Sequence, residues 1–213
     1  MLSPEHIILL APPFLLAITV HEFSHGYVAY RLGDPTARDM GRLTFNPIAH
    51  IDLFGLIALV IIGFGWAKPV PVNPNNLADP RRDNLWISLA GPASNFISAF
   101  LFGLLFRILH PILPNSGIST IILGMVFFGV WINLILTIFN LLPIPPLDGF
   151  HILEGLVSTD TYIALQSFRR IGPMILLGLI VISSFTGAGV FRMIFNPFLM
   201  VFGSLFTGQS LAF

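Results

Sequence analysis

The sequence predicts an all-α membrane protein, a polytopic bundle of about five transmembrane helices, on three grounds. First, 55% of its 213 residues are hydrophobic, only 9% are charged, and its mean hydropathy is +0.87. A water-soluble domain carries roughly 25% charged residues, so this chain lacks the charge to clothe a surface facing water. Second, apolar stretches recur at the length a bilayer-spanning helix needs, about 20 residues. Third, one of those stretches contains His21, Glu22 and His25. Ionisable groups at such a depth cost up to roughly 3 kcal/mol each on insertion scales, and a bound metal ion offsets that cost.

The elements follow in order. Ile7 to Tyr30 is the first span. It lacks the basic first region of a secretory signal, and cleavage would discard its histidines, so it reads as a retained helix. Arg31 to Asp52 is polar, with Gly33-Asp34-Pro35 and Asn46-Pro47 as turn signals. Leu53 to Trp66 is a short apolar run interrupted by Gly55, Gly63 and Gly65. Lys68-Pro69-Val70-Pro71-Val72-Asn73-Pro74 is extended, since its prolines forbid a helix. Asn84 to Leu109 and Ile118 to Leu142 are two further long spans. Pro143, Pro145, Pro146 and Gly149 break the chain after the second of these. His151 to Arg170 is more polar, and Ile171 to Phe185 and Val190 to Leu205 read as two final spans.

Charge bears on topology, because cytoplasmic loops are enriched in Lys and Arg. If Leu53 to Trp66 dips in and returns, with a short β segment beside it, then Arg31, Arg38, Arg42, Lys68, Arg81, Arg82, Arg169 and Arg170 share one face. Only Arg107 and Arg192 then lie toward the other. The re-entrant reading also returns Asp148 to the face of His21 and His25, whereas a crossing would separate them. It places the N-terminus outside and the C-terminus inside. A net charge of +0 gives no sign of a nucleic-acid partner, and the absence of cysteine excludes disulfides and thiol chemistry.

His21-Glu22-Phe23-Ser24-His25 is an H-E-x-x-H pattern. Residues four apart share a helical face, so both imidazoles can hold one ion, and Glu22 sits one step round as a candidate base. Zinc lowers the pKa of a coordinated water from 15.7 to about 7. The pattern also arises by chance on polar helices, but the cost of these residues inside a membrane weakens that reading. Catalytic zinc keeps three protein ligands as a rule. The candidates for the third are Asp148, His151, Glu154, His50 and Asp52. Asp148 is best placed, beyond the proline break and beside Gly149, although capping a helix is an equally ordinary task for it. His151, three residues on, reads as a partner of Asp148 or as an interfacial histidine, and Glu154 reads as solvated.

Four segments together resemble the site-2 proteases, intramembrane zinc metalloproteases, in their compact bacterial and archaeal form without PDZ or CBS domains. They are His21 to Gly26, Gly65 to Pro74, Ala90-Gly91-Pro92-Ala93-Ser94-Asn95, and Asn140 to Gly149 with Pro143-Ile144-Pro145-Pro146-Leu147-Asp148-Gly149. The resemblance implies one membrane-embedded peptidase domain over residues 1–213, with a catalytic core at about 1–157 and accessory helices at about 171–206. It implies Zn2+ held by His21, His25 and Asp148, and Glu22 as general base. Asn140 is implied to position substrate or the local backbone, and Asn95 to reach across to the site; both read equally as hydrogen bonds between helices. The expected activity is endoproteolysis of membrane proteins within their transmembrane segments. The expected setting is the inner or plasma membrane, with the site toward the cytoplasm and the lipid bilayer and a membrane-protein substrate as partners. The Lys68 to Asn73 segment is a candidate edge for an unwound substrate strand.

Three rival readings remain at this stage. A proteolytically silent chaperone or regulator on the same scaffold has no need of Glu22. A metal transporter commonly shows two related halves, and none is visible. An enzyme acting on a lipid or prenylated substrate is compatible with the first motif, but the Asn140 to Gly149 segment favours a protease.

Overall fold

The computed structural model describes residues 4–62, 65–114, 116–186 and 189–209. Eight helices appear among them: α1 (Pro4–Arg31), α2 (Thr36–Asp39), α3 (Leu53–Ile62), α4 (Pro80–Leu109), α5 (Ile118–Asn140), α6 (Asp148–Leu156), α7 (Thr159–Thr186) and α8 (Val190–Thr207). Four helices are long and apolar enough to cross a membrane, within α1, α4, α5 and α7, and α8 is a shorter apolar helix. The protein is a multi-pass, all-α membrane bundle.

Local chemistry sets the helix starts. Asp79 accepts from the Arg82 N–H at 3.1 Å and Pro80 follows at the first helical position, so α4 begins four residues before the apolar stretch. Asp52 accepts from the Gly55 N–H at 2.8 Å and opens α3. Asn46 accepts from the Ile48 N–H at 3.1 Å and starts a 3-10 turn over Pro47–His50. α7 starts far earlier than the apolar run Ile171 to Phe185, because Thr159 to Arg170 is helical as well.

The short apolar run re-enters. α3 has ten residues, about 15 Å of helix, half the thickness of a hydrocarbon core. Its two flanks are joined to each other: Ile51 and Ala67 form an antiparallel bridge, and the Lys68 N–H donates to the His50 carbonyl at 2.9 Å. The return path needs glycine on both sides, since a Cβ on Gly55 would lie 2.1 Å from the Trp66 carbonyl oxygen and one on Gly65 2.3 Å from that of Gly55. The chain therefore leaves this excursion where it entered. The expected β segment amounts to that one bridge among the described residues.

α1, α4 and α5 form the heart of the bundle. α1 and α5 both run antiparallel to α4, for Ala17 and Asn133 face Asn95 while His25 faces Ile87 and Thr137 faces Pro92. Small residues permit the approach: a Cβ on Gly129 would lie 2.6 Å from Phe102 of α4. Between apolar helices in lipid, such close packing and interhelical hydrogen bonds supply the association energy.

α8 corrects one topological expectation. It begins with Phe191 and Phe195 against Phe139 near the end of α5, and finishes with Phe206 over Gly103. The Arg107 guanidinium, in the last turn of α4, donates to the Phe206 and Leu205 carbonyls at 2.9 and 2.5 Å. α8 is thus parallel to α4, and its end lies on the face opposite Arg81 and Arg82, not on the basic face. The cause is local: the last carbonyls of a helix lack intrahelical donors and carry partial negative charge, which a cation satisfies.

Candidate active site

The H-E-x-x-H segment lies in the last third of α1, where one helical face meets α4 and the start of α6. His21 and Glu22 are each 8% exposed. The two imidazoles meet edge to face with Nε2 atoms 2.9 Å apart. Asp148, the first residue of α6, brings Oδ2 to 3.1 Å from His21 Nε2 and 3.4 Å from His25 Nε2. Among the described residues, these three form the one group of His, Asp or Glu side chains able to share an ion, with ligand atoms within 4.8 Å of one another.

The hydrogen bonds behind the rings determine what faces that centre. His25 Nδ1 donates to the Ile87 carbonyl at 2.7 Å. His21 Nδ1 lies 2.6 Å from Asn95 Oδ1 and donates to it, because the Asn95 amide nitrogen already donates to the Ala17 carbonyl and to Asn133 Oδ1. With both Nδ1 atoms committed to these acceptors, each ring turns Nε2 inward, and in its neutral form that nitrogen carries a lone pair. They meet a buried carboxylate oxygen at 3.1 and 3.4 Å. Three ligand atoms facing one point repel each other unless a proton or a cation lies between them, and a small cation can be held by all three. The N,N,O donor set suits zinc with one position left open.

Two glycines make the convergence possible. A Cβ on Gly91 would lie 2.4 Å from His25 Nε2 and 2.6 Å from His21 Cε1, so only glycine on α4 leaves room for both rings. A Cβ on Gly149 would lie 2.3 Å from the Leu141 carbonyl oxygen, so glycine lets α6 start tight against the end of α5. The nearest atoms to a Cβ at Gly91 are thus those of the two histidine rings.

Glu22 points to the extended segment after α3. Its Oε2 accepts from the Val70 N–H at 2.9 Å. Arg42, 7% exposed, fixes the same segment by donating to the Lys68 and Pro69 carbonyls at 2.7 and 3.3 Å. Asp34 anchors its far end, accepting from the Asn73 N–H at 2.7 Å, Asn76 Nδ2 at 2.7 Å and Thr36 Oγ1 at 2.5 Å. Burial alone would raise the Asp34 carboxyl, but these donors outweigh it and hold its pKa below the usual carboxylate value. With five of its backbone groups bound internally, the segment offers a partner strand a narrower edge than its sequence suggests. Arg42 and Asp34 carry no motif: Arg42 reaches backbone carbonyls 26 and 27 residues away, and Asp34 joins the neighbouring Thr36 to the distant Asn73 and Asn76.

The remaining candidates lie elsewhere. His50 is fully buried and its Nε2 donates to the Thr44 carbonyl at 2.8 Å. Asp52 caps α3. Glu154 is buried rather than solvated, held by His151 at 3.0 Å, Gln166 at 3.0 Å and Arg169 at 2.9 Å, and so joins α6 to α7. His151 gives its Nδ1 to Glu154 and not to Asp148, because α6 turns it away from the site toward α7. Asn140 donates to the Leu136 carbonyl one turn back in α5 at 3.0 Å. Asn133, passed over in the sequence, is fully buried behind Asn95. Its signal was an amide in the middle of an apolar span.

Comparison with known proteins points to one family of peptidases. Residues 109–183 match the model of peptidase family M50, a stretch that includes Asn140 and Asp148 but not the His21 motif. YwhC of Bacillus subtilis, named as a candidate zinc metalloprotease, is 42% identical over 170 residues, 78% of this chain and 77% of YwhC. The Rip2 protein of Mycolicibacterium smegmatis, named likewise, is 31% identical over 179 residues, 82% of this chain and 67% of Rip2. Rip2 of Mycobacterium tuberculosis is 32% identical over 180 residues, 82% of this chain and 67% of Rip2. No solved structure gives a significant match.

Proposed function

Starting from the fact that this chain belongs to peptidase family M50, the site-2 family of zinc metalloproteases, we propose that it is an intramembrane endopeptidase cutting transmembrane segments of other membrane proteins. His21, His25 and Asp148 hold the zinc in this reading, and Glu22 is the general base. The observation that carries the proposal is the convergence of those three ligand atoms within 4.8 Å between helices of membrane-spanning length.

When bound there, zinc polarises the scissile carbonyl and acidifies the attacking water. The chain's own residues do the rest. Asn95 and the Ile87 carbonyl hold the two imidazoles with their lone pairs inward. Glu22, fixed through Oε2 by Val70, takes the proton from water and returns it to the leaving nitrogen. A substrate helix has its peptide groups locked in internal hydrogen bonds and must unwind before a carbonyl can reach this centre. Asn140, at the end of α5 before the proline turn, is suited to hold the unwound stretch. The site lies on the face of Arg81 and Arg82, which supports a cytoplasmic opening in a cell membrane. The four central side chains all fall within residues 1–157, the proposed catalytic core.

The test is co-expression with candidate single-span membrane proteins, comparing wild type with Glu22→Gln. The variant should bind zinc as the wild type does and lose cleavage by at least about a hundredfold. Wild-type cleavage by Glu22→Gln would remove Glu22 from its role.

A further inference from the structure

Behind the site, α5 contributes a side chain that no motif marks. Asn133 is fully buried in the middle of a membrane span. Its Nδ2 donates to the Gly129 carbonyl at 2.8 Å, and its Oδ1 accepts from Asn95 Nδ2 at 2.9 Å. The second hydrogen on Asn95 Nδ2 goes to the Ala17 carbonyl at 3.1 Å, and Asn95 Oδ1 faces His21 Nδ1 at 2.6 Å.

An asparagine amide looks nearly the same in either of its two orientations, so its neighbours must choose one. Here they do. Turned over, Asn95 would set its oxygen against two acceptors, the Ala17 carbonyl and Asn133 Oδ1, in a buried site without competing solvent. Asn133 has no such freedom, because its own nitrogen is tied to Gly129 one turn back in α5. The constraint thus runs one way, from the Gly129 carbonyl through Asn133 and Asn95 to His21, each group donating toward Gly129. It ends by requiring a proton on His21 Nδ1 and a lone pair on Nε2.

We propose that Asn133 is a positioning residue: by holding the Asn95 amide in one orientation, it sets the tautomer of His21 and so the affinity of the zinc centre. This rests on the reading of His21 as a zinc ligand. Partners behind metal-bound histidines are worth about 10–100-fold in metal affinity. Asn133 acts one bond further out, so a loss near the lower end of that range is expected.

The experiment measures zinc affinity by chelator competition, and the absorption spectrum of the Co2+-substituted protein, on the full chain in detergent. Asn133→Leu removes the acceptor facing Asn95, and Asn133→Ala does so without added bulk. Asn133→Asp keeps that acceptor. Thr137→Val serves as the packing control, because the Thr137 hydroxyl faces the Asn133 main-chain carbonyl at 2.8 Å and the Pro92 carbonyl of α4 at 3.3 Å and leaves the Asn133 amide side chain in place. Asn133→Leu and Asn133→Ala should weaken zinc binding about tenfold and alter the Co2+ spectrum. Asn133→Asp and Thr137→Val should stay within about twofold of wild type. Wild-type affinity in the Leu and Ala variants, or an equal loss in Thr137→Val, overturns the proposal. His21→Ala is measured alongside: if it binds zinc normally, the ligand assignment itself has failed, a result distinct from failure of the Asn133 step alone.

Discussion

Replacing Gly91 by alanine tests the site with the smallest change that reaches it. The added Cβ would lie 2.4 Å from His25 Nε2, 2.6 Å from His25 Cε1 and 2.6 Å from His21 Cε1. Ordinary contact begins near 3.4 Å, so the rings or α4 must withdraw by roughly 1 Å, several times the ~0.2 Å tolerance of metal–ligand distances. Neither ring can move freely, because His25 is tied to Ile87 at 2.7 Å and His21 to Asn95 at 2.6 Å. α4 cannot withdraw cheaply either, since it packs against both α1 and α5. Alanine is by itself a better helix former than glycine by about 1 kcal/mol, so helix propensity predicts no loss of fold. The expected result is a folded protein whose zinc affinity falls at least tenfold, toward the hundredfold end of what disturbed ligand settings cost, with cleavage lost in step. Metal content after dialysis against a chelator, read beside helicity and cleavage of a transmembrane substrate, checks it. Gly178→Ala is the control, because a Cβ there meets nothing within 4 Å. Wild-type zinc retention and cleavage in Gly91→Ala would refute the account of how the rings are seated.

Two further outcomes follow from the clamps around the site. Because the Asp34 pKa is lowered in the folded protein, its contribution is present above the unfolded carboxyl pKa of about 4 and is lost as pH falls through the folded value; Asp34→Asn should therefore lower Tm at pH 7 and flatten its fall in acid, and an unchanged Tm profile would exclude the clamp. Arg107→Met removes the donors to the Leu205 and Phe206 carbonyls, which should cost about 1 kcal/mol of thermal stability and leave zinc content and cleavage unchanged; loss of zinc in that variant would mean that α8 supports the site.

Much of this protein was legible in one dimension because a membrane punishes exceptions. Apolar runs of spanning length, a proline cluster and an H-E-x-x-H pattern within such a run are local features with local physical causes. They located α1, α4, α5 and the break before Asp148. The re-entrant reading of Leu53 to Trp66 also came from the sequence, through the distribution of arginines. What sequence position could not convey was depth and facing. Glu154, read as a solvated acid, is buried because Arg169 arrives from the next helix. Arg42 looked like one loop cation among several, yet it holds the segment that touches Glu22.

Taken alone, the amino-acid sequence determined the solvent, the helical class and the kind of metal chemistry, because each follows from composition or from spacing along a single helix. Only the tertiary structure decided that His21, His25 and Asp148 meet, that Gly91 is the floor beneath the rings, and that α8 ends beside Arg107. Those outcomes depend on contacts between segments tens of residues apart, where no periodicity links the partners. They are settled by which side chain, or missing side chain, lets two helices close.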